Sequence, residues 1–115
     1  MFEEHTQFTD AEFEQKFSDT SLLKKQFTHD AHLRLAWIHV SKYGEQQAII
    51  NLTSQIKAYV SKLGLAHKYV ENTTIAAVQL VNSRYVRQPI TSYSEFINSN
   101  PDLRTHFQEL IQEYL

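Results

Sequence analysis

The stretch Phe27-Thr28-His29-Asp30-Ala31-His32-Leu33-Arg34-Leu35-Ala36-Trp37 holds the densest set of chemistry-bearing side chains in a chain of 115 residues. His29 and His32 stand three apart just after a threonine of N-cap type, a spacing that sends both rings from one face of a helix start. The positive end of the helix dipole favours neutral imidazole there, the form that ligates a metal or accepts a proton. Asp30 falls on another face, where it suits the dipole and pairs by spacing with Arg34 four residues on. A metal needs at least a third ligand, and that ligand must come from another helix. Glu71, within His67-Lys68-Tyr69-Val70-Glu71-Asn72-Thr73-Thr74, completes a two-histidine, one-carboxylate set of the kind that holds zinc, iron or manganese.

Each of these residues also has a purely structural reading. His29 can stand in water at the helix start and His32 can hydrogen-bond a neighbouring helix. Glu71 can serve as a first-turn acid, with Asn72 or Thr73 as the cap. Arg84 follows Thr74 by ten residues, about 15 Å along a helix axis, so the two line one pocket only if it is elongated; otherwise Arg84 forms a surface or interhelix salt bridge. His39, two turns after His32, reads as a satisfied core or boundary histidine. His5 and His106 have no partners in sequence and receive no role.

The elements that must position these groups are helical. Gly44 and Gly64 are the only glycines, and each follows a stretch with helical periodicity, as a C-terminal cap does. Between them Ile49, Leu52, Ile56, Val60 and Leu63 share one face, which predicts a helix over 46–63. Thr28 predicts the start of another that runs to Tyr43 and is apolar almost all round, as a central helix is. Ile75, Val78, Val81 and Tyr85 mark a third long helix from about Asn72 to Arg87, ended by Gln88-Pro89. Thr9 with Glu12, and Ser92 with Glu95, have capping-box spacing for short helices over 10–17 and 93–98. Asn100 and Pro101 predict the start of a last one with Leu103, Phe107, Leu110 and Ile111 buried. The expected fold is all-α, a single-domain bundle of about six helices, three long and three short, in which residues 1–26 form an extension packed by phenylalanines.

Composition narrows the chemistry further. The absence of cysteine removes disulfides, thiol nucleophiles and thiolate zinc sites. Eleven Lys and Arg against thirteen Asp and Glu give a net charge of −2, and the bases of residues 31–115 are scattered, with no stripe suited to nucleic acid. No apolar run approaches the roughly 20 residues that span a membrane, and Met-Phe-Glu-Glu-His lacks the basic-then-apolar order of a secretory signal. A cytoplasmic protein without nucleic-acid or membrane partners is the expectation.

Phe27, His29, His32, Leu33, Arg34, Leu35, Ala36 and Trp37, then Lys68, Tyr69, Glu71, Thr74 and Arg84, and finally Phe96 with Asn100-Pro101-Asp102-Leu103 and Tyr114 carry a resemblance. Over about residues 27–115 the chain resembles a group of short bacterial proteins whose pattern reads F-x-H-x-x-H-L-R-x-A-W, then Y-H-E-T-I-T, then N-P-D-L. The resemblance implies one domain and a bacterial, cytoplasmic origin, and supplies no reaction. This chain departs from the pattern at Val70, where the group has histidine, and at Asn72, where it has threonine. If the group uses three histidines, this member lacks one, and His67 replaces it only where the connection bends back.

Two functions follow as expectations. In the first, a pocket lined by His29, His32, Tyr69, Glu71, Thr74 and Arg84 binds a small molecule, with His29, His32 and Glu71 as the metal set if a divalent ion takes part. In the second, the same residues form a hydrogen-bond network in an interaction module that docks on a partner or forms a homodimer.

Overall fold

The computed structural model describes residues 4–115. Among them seven α-helices and four 3-10 turns occur and no strand, so the all-α expectation holds. The α-helices are α1 (Asp10–Ser18), α2 (His29–Tyr43), α3 (Glu45–Lys62), α4 (Glu71–Arg87), α5 (Tyr93–Ser99), α6 (Asp102–Thr105) and α7 (Phe107–Leu110). The turns are Glu4–Gln7, Lys24–Gln26, Ala66–Lys68 and Ile111–Tyr114. No described helix is long and apolar enough to cross a membrane.

Local chemistry sets most of the boundaries. Thr9 and Glu12 form both bonds of the capping box that starts α1, at 2.9 and 3.2 Å. Thr28 Oγ1 accepts the Ala31 N–H at 3.2 Å to open α2. Gly44, at φ 85° and ψ 165°, occupies a backbone region open essentially to glycine alone. That one residue therefore ends α2 and begins α3, folding them into a tight antiparallel hairpin. Gly64, at φ 73°, sits at the left-handed position of a Schellman cap: its N–H reaches the Ser61 carbonyl at 3.1 Å and that of Leu65 reaches Val60 at 2.7 Å.

Three boundaries differ from expectation. The third long helix starts at Glu71 with Val70 as its N-cap and no side-chain cap bond, so Asn72 and Thr73 lie inside the helix rather than capping it. The last helix is broken at His106, whose backbone leaves helical geometry at φ −129° and ψ 26°. Its start also differs, because Asn100 spends its side chain on the Phe96 carbonyl and Arg84 instead of capping. The break turns the chain so that Ile111–Tyr114 lies along α4. At α5 only half of the expected box forms: Ser92 Oγ accepts the Glu95 N–H at 3.4 Å.

Helix α2 is the centre of the molecule. Leu33, Leu35, Ala36, Trp37, Ile38 and Val40 are all buried, because α3 and α4 pack along it and α1, α5 and α6 close the other side. Trp37 is core, as expected, and its Nε1 donates to the Ile90 carbonyl at 3.3 Å. On α4 burial falls on Thr74, Val78 and Val81 and also on Ala76 and Leu80, a wider face than the single stripe in the sequence. The cause is that α4 is covered by α2 and α3 and again by the C-terminal turn.

Candidate functional site

The first turn of α2 sends polar groups in two directions. Asp30 and Arg34 face the N-terminal segment and α6, whereas His29 and His32 face α4 and α7.

On the first side every polar group is engaged. Asp30 Oδ2 accepts from Nε2 of His5 at 2.8 Å, and Oδ1 accepts from Arg104 Nε at 2.6 Å and from the Tyr93 hydroxyl at 3.0 Å. Arg34 donates to the carbonyls of His5 and Phe8 at 2.7 and 2.8 Å and to Asp10 at 2.9 Å, and it lies 3.2 Å from Nδ1 of His5. His5 thus carries its hydrogen on Nε2 and accepts at Nδ1. Burial alone would raise the Asp30 carboxyl, but the bonds from His5, Arg104 and Tyr93 outweigh it and hold the group well below the usual carboxylate range. Burial, then the Asp30 charge, pushes the Tyr93 phenol above its ordinary value.

The expected pairing of Asp30 with Arg34 does not form. Partners distant in sequence take their place, Asp10 for Arg34 and Arg104 for Asp30, at 2.9 and 2.6 Å. His5, given no role from sequence, is fully buried at the heart of this cluster. Nothing local could have found it, because its partner lies 25 residues away.

On the second side lies a cavity of ≈ 210 Å³ walled by Leu33, Ala36, Ala77 and Phe107, with His29, His32, Thr73, Thr74 and Gln108 as its polar rim. His29 Nε2 donates to the Leu103 carbonyl at 3.2 Å. The ring meets the Phe107 ring edge-on at 4.8 Å. Its Nδ1 has no hydrogen-bond partner among the described residues. The His32 ring packs on Phe27 at 4.6 Å, and among the described residues neither of its nitrogens has a hydrogen-bond partner. Burial, with a smaller push from His29, lowers His32 to about 4, so it is neutral at pH 7 and offers one donor and one acceptor. Thr73, Ala77, Phe107 and Gln108 were not legible as site residues. Only the adjacency of Thr73 to Thr74 hinted at any of them.

A second cavity, also ≈ 210 Å³, adjoins the first. It shares His32, Thr73 and Thr74 and is otherwise lined by Phe27, Ile56, Val60, Lys68, Tyr69 and Val70. Tyr69 is tied to α3 by its hydroxyl, which donates to the Thr53 carbonyl at 3.3 Å. Burial, then the Glu71 carboxylate, raises its phenol.

The structure thus brings His29, His32 and Thr74 to one cavity and His32, Tyr69 and Thr74 to the other. It does not bring Glu71 to either. Glu71 is exposed at the first position of α4, where its charge suits the helix dipole. The ligand set of His29, His32 and Glu71 is therefore not assembled, and among the described residues no group of three or more His, Asp or Glu is placed to hold a metal ion. His67 lies exposed in the Ala66–Lys68 turn and lines neither cavity.

Arg84 also departs from the expected pocket. It forms a bidentate pair with Asp102 at 2.8 Å through each nitrogen and a 3.1 Å bond to Asn100, which locks α4 to α6. His39 is a core histidine as expected but only partly satisfied. Its Nδ1 accepts from Asn51 at 3.3 Å, while the buried Nε2 has no partner among the described residues. No family model matches the chain, and neither a curated protein nor a solved structure does so.

Proposed function

We propose that this protein binds a small, largely apolar molecule carrying an uncharged hydrogen-bonding group, in the cavity between α2, α4 and α7, with His32 as its polar anchor. One observation carries the reading: a half-buried imidazole without a partner faces a cavity whose walls are otherwise mostly apolar. A ligand that fills the cavity takes this ring out of water, and pairing with it avoids the cost of about 1–3 kcal/mol that a buried polar group without a hydrogen bond would carry. The role is anchoring rather than proton transfer, because a base near 4 is far from the value that suits a general base at neutral pH. His29 Nδ1 and the Thr73 and Thr74 hydroxyls supply further polar contacts. In the bacterial pattern a histidine stands at the position of Val70; valine there keeps the adjoining lobe apolar.

The competing reading, a structural hydrogen-bond network, fits Asp30, Arg34 and Arg84 but leaves His32 unexplained. Benzamide, an uncharged ring with one amide, is a suitable probe, and toluene is its apolar control. Titration followed by ¹H–¹⁵N correlation spectra is expected to move the amides of His29–Ala36, Thr73–Ala77 and Phe107–Gln108 with benzamide. In His32→Leu, benzamide should lose its advantage over toluene. Absence of shifts at millimolar benzamide, or equal shifts in His32→Leu, would overturn the proposal.

A further inference from the structure

The two cavities are of similar size, ≈ 210 Å³ each, and each alone holds about seven waters' worth of volume. Either one falls below the roughly 300 Å³ at which sites for drug-sized ligands begin. They have separate apolar walls: Leu33, Ala36, Ala77 and Phe107 on one side, and Phe27, Ile56, Val60 and Tyr69 on the other. What they share is polar, namely His32, Thr73 and Thr74. A single-ring ligand would fill one lobe and leave the other as wetted apolar surface.

We infer that the ligand is bipartite, two apolar groups joined by a short uncharged linker such as an amide or ester, with one group in each lobe and the linker lying across His32, Thr73 and Thr74. This rests on the ligand-binding reading above and specifies its chemical class. The linker is uncharged because the wall that the two cavities share consists of His32, neutral at pH 7, and the hydroxyls of Thr73 and Thr74. No charged partner therefore meets an ion at the shared wall. An amide matches a neutral imidazole in particular, since each offers one face that donates and one that accepts. Joining the two groups also makes occupation of the second lobe an intramolecular event, which raises affinity beyond that of either group alone.

The test compares N-benzylbenzamide, two rings joined by an amide, with benzamide on the full chain. N-benzylbenzamide is expected to bind at least about tenfold more tightly and to shift the methyl signals of Ala36 and Ala77 together with those of Ile56 and Val60. Val60→Phe fills the outer lobe and is expected to erase that gain while leaving benzamide binding in place. Val70→Phe, at a position 57% exposed, repeats the block without touching the core. Equal affinities, or shifts confined to the first lobe, would overturn the bipartite ligand and leave the binding site standing. No shifts with either probe would overturn both.

Discussion

Asp30 and His32 stand two residues apart on one turn of α2, yet one is surrounded by partners and the other has none. Asp30 takes hydrogen bonds from three side chains contributed by three separate segments, and with Arg34 it fastens the N-terminal turn, α5 and α6 to the central helix. His32 is half-buried and meets Phe27 on its ring and a cavity beyond. Low dielectric makes a satisfied polar group firm and an unsatisfied one costly. A polar residue on a core helix therefore indicates a ligand by its missing partner, not by its type.

The comparison breaks most visibly on the Asp30 side. Asp30→Ala leaves His5, Arg104 and the Tyr93 hydroxyl without their shared acceptor. Arg104 is 45% exposed, so the loss is that of a buried acceptor rather than of a buried ion pair, about 1–3 kcal/mol, enough to lower Tm by several degrees in a domain this size. Urea unfolding measures it, and a loss below about 1 kcal/mol would mean that the cluster is not structural.

Acid separates the two regions by pH window. Between pH 6.5 and about 4 the unfolded chain protonates His32 while the folded chain does not, so stability falls as pH falls through that range, by up to about 3 kcal/mol. Asp30 behaves as a carboxylate held below its usual range: its contribution is present above that range and is lost only at lower pH. In His32→Gln the slope between pH 6.5 and 4 should flatten, leaving the smaller part due to His39, which burial also lowers. An unchanged slope would contradict the assignment.

Arg84→Ala should cost less, about 1 kcal/mol, since Asp102 is 41% exposed and water screens the pair. Smallest of all, His32→Leu should change stability at pH 7 by less than about 1 kcal/mol, because no hydrogen bond is lost. Thermal melts of the two variants order these effects, and a larger loss in His32→Leu than in Asp30→Ala would invert the account.

What was legible in the sequence follows from range. Thr28, Gly44 and Gly64 act on their own helix ends through short-range geometry, and the bounds of α2 and α3 could be read from them. The start of α4 could not, because Val70 is an N-cap that contributes no capping side chain. At His106 the helix breaks so that the C-terminal turn can reach α4, a tertiary demand with no local mark. The histidine pair was visible by spacing, and it does face one cavity. Its expected third member was not there, since Glu71 sits where the helix dipole and water suit a carboxylate. Asp30 and Arg34 misled because i, i+4 spacing is worth only about 0.2–0.5 kcal/mol and yields to several partners brought in from the chain ends.

The most direct test is a pH titration of the His32 ring by long-range ¹H–¹⁵N spectra of labelled protein. A half-buried ring without a partner should remain neutral until pH falls to about 4, and its ¹⁵N shifts should move when benzamide is added at pH 7. A ring that titrates at or above about 6.5, with ¹⁵N shifts indifferent to benzamide, would contradict the account.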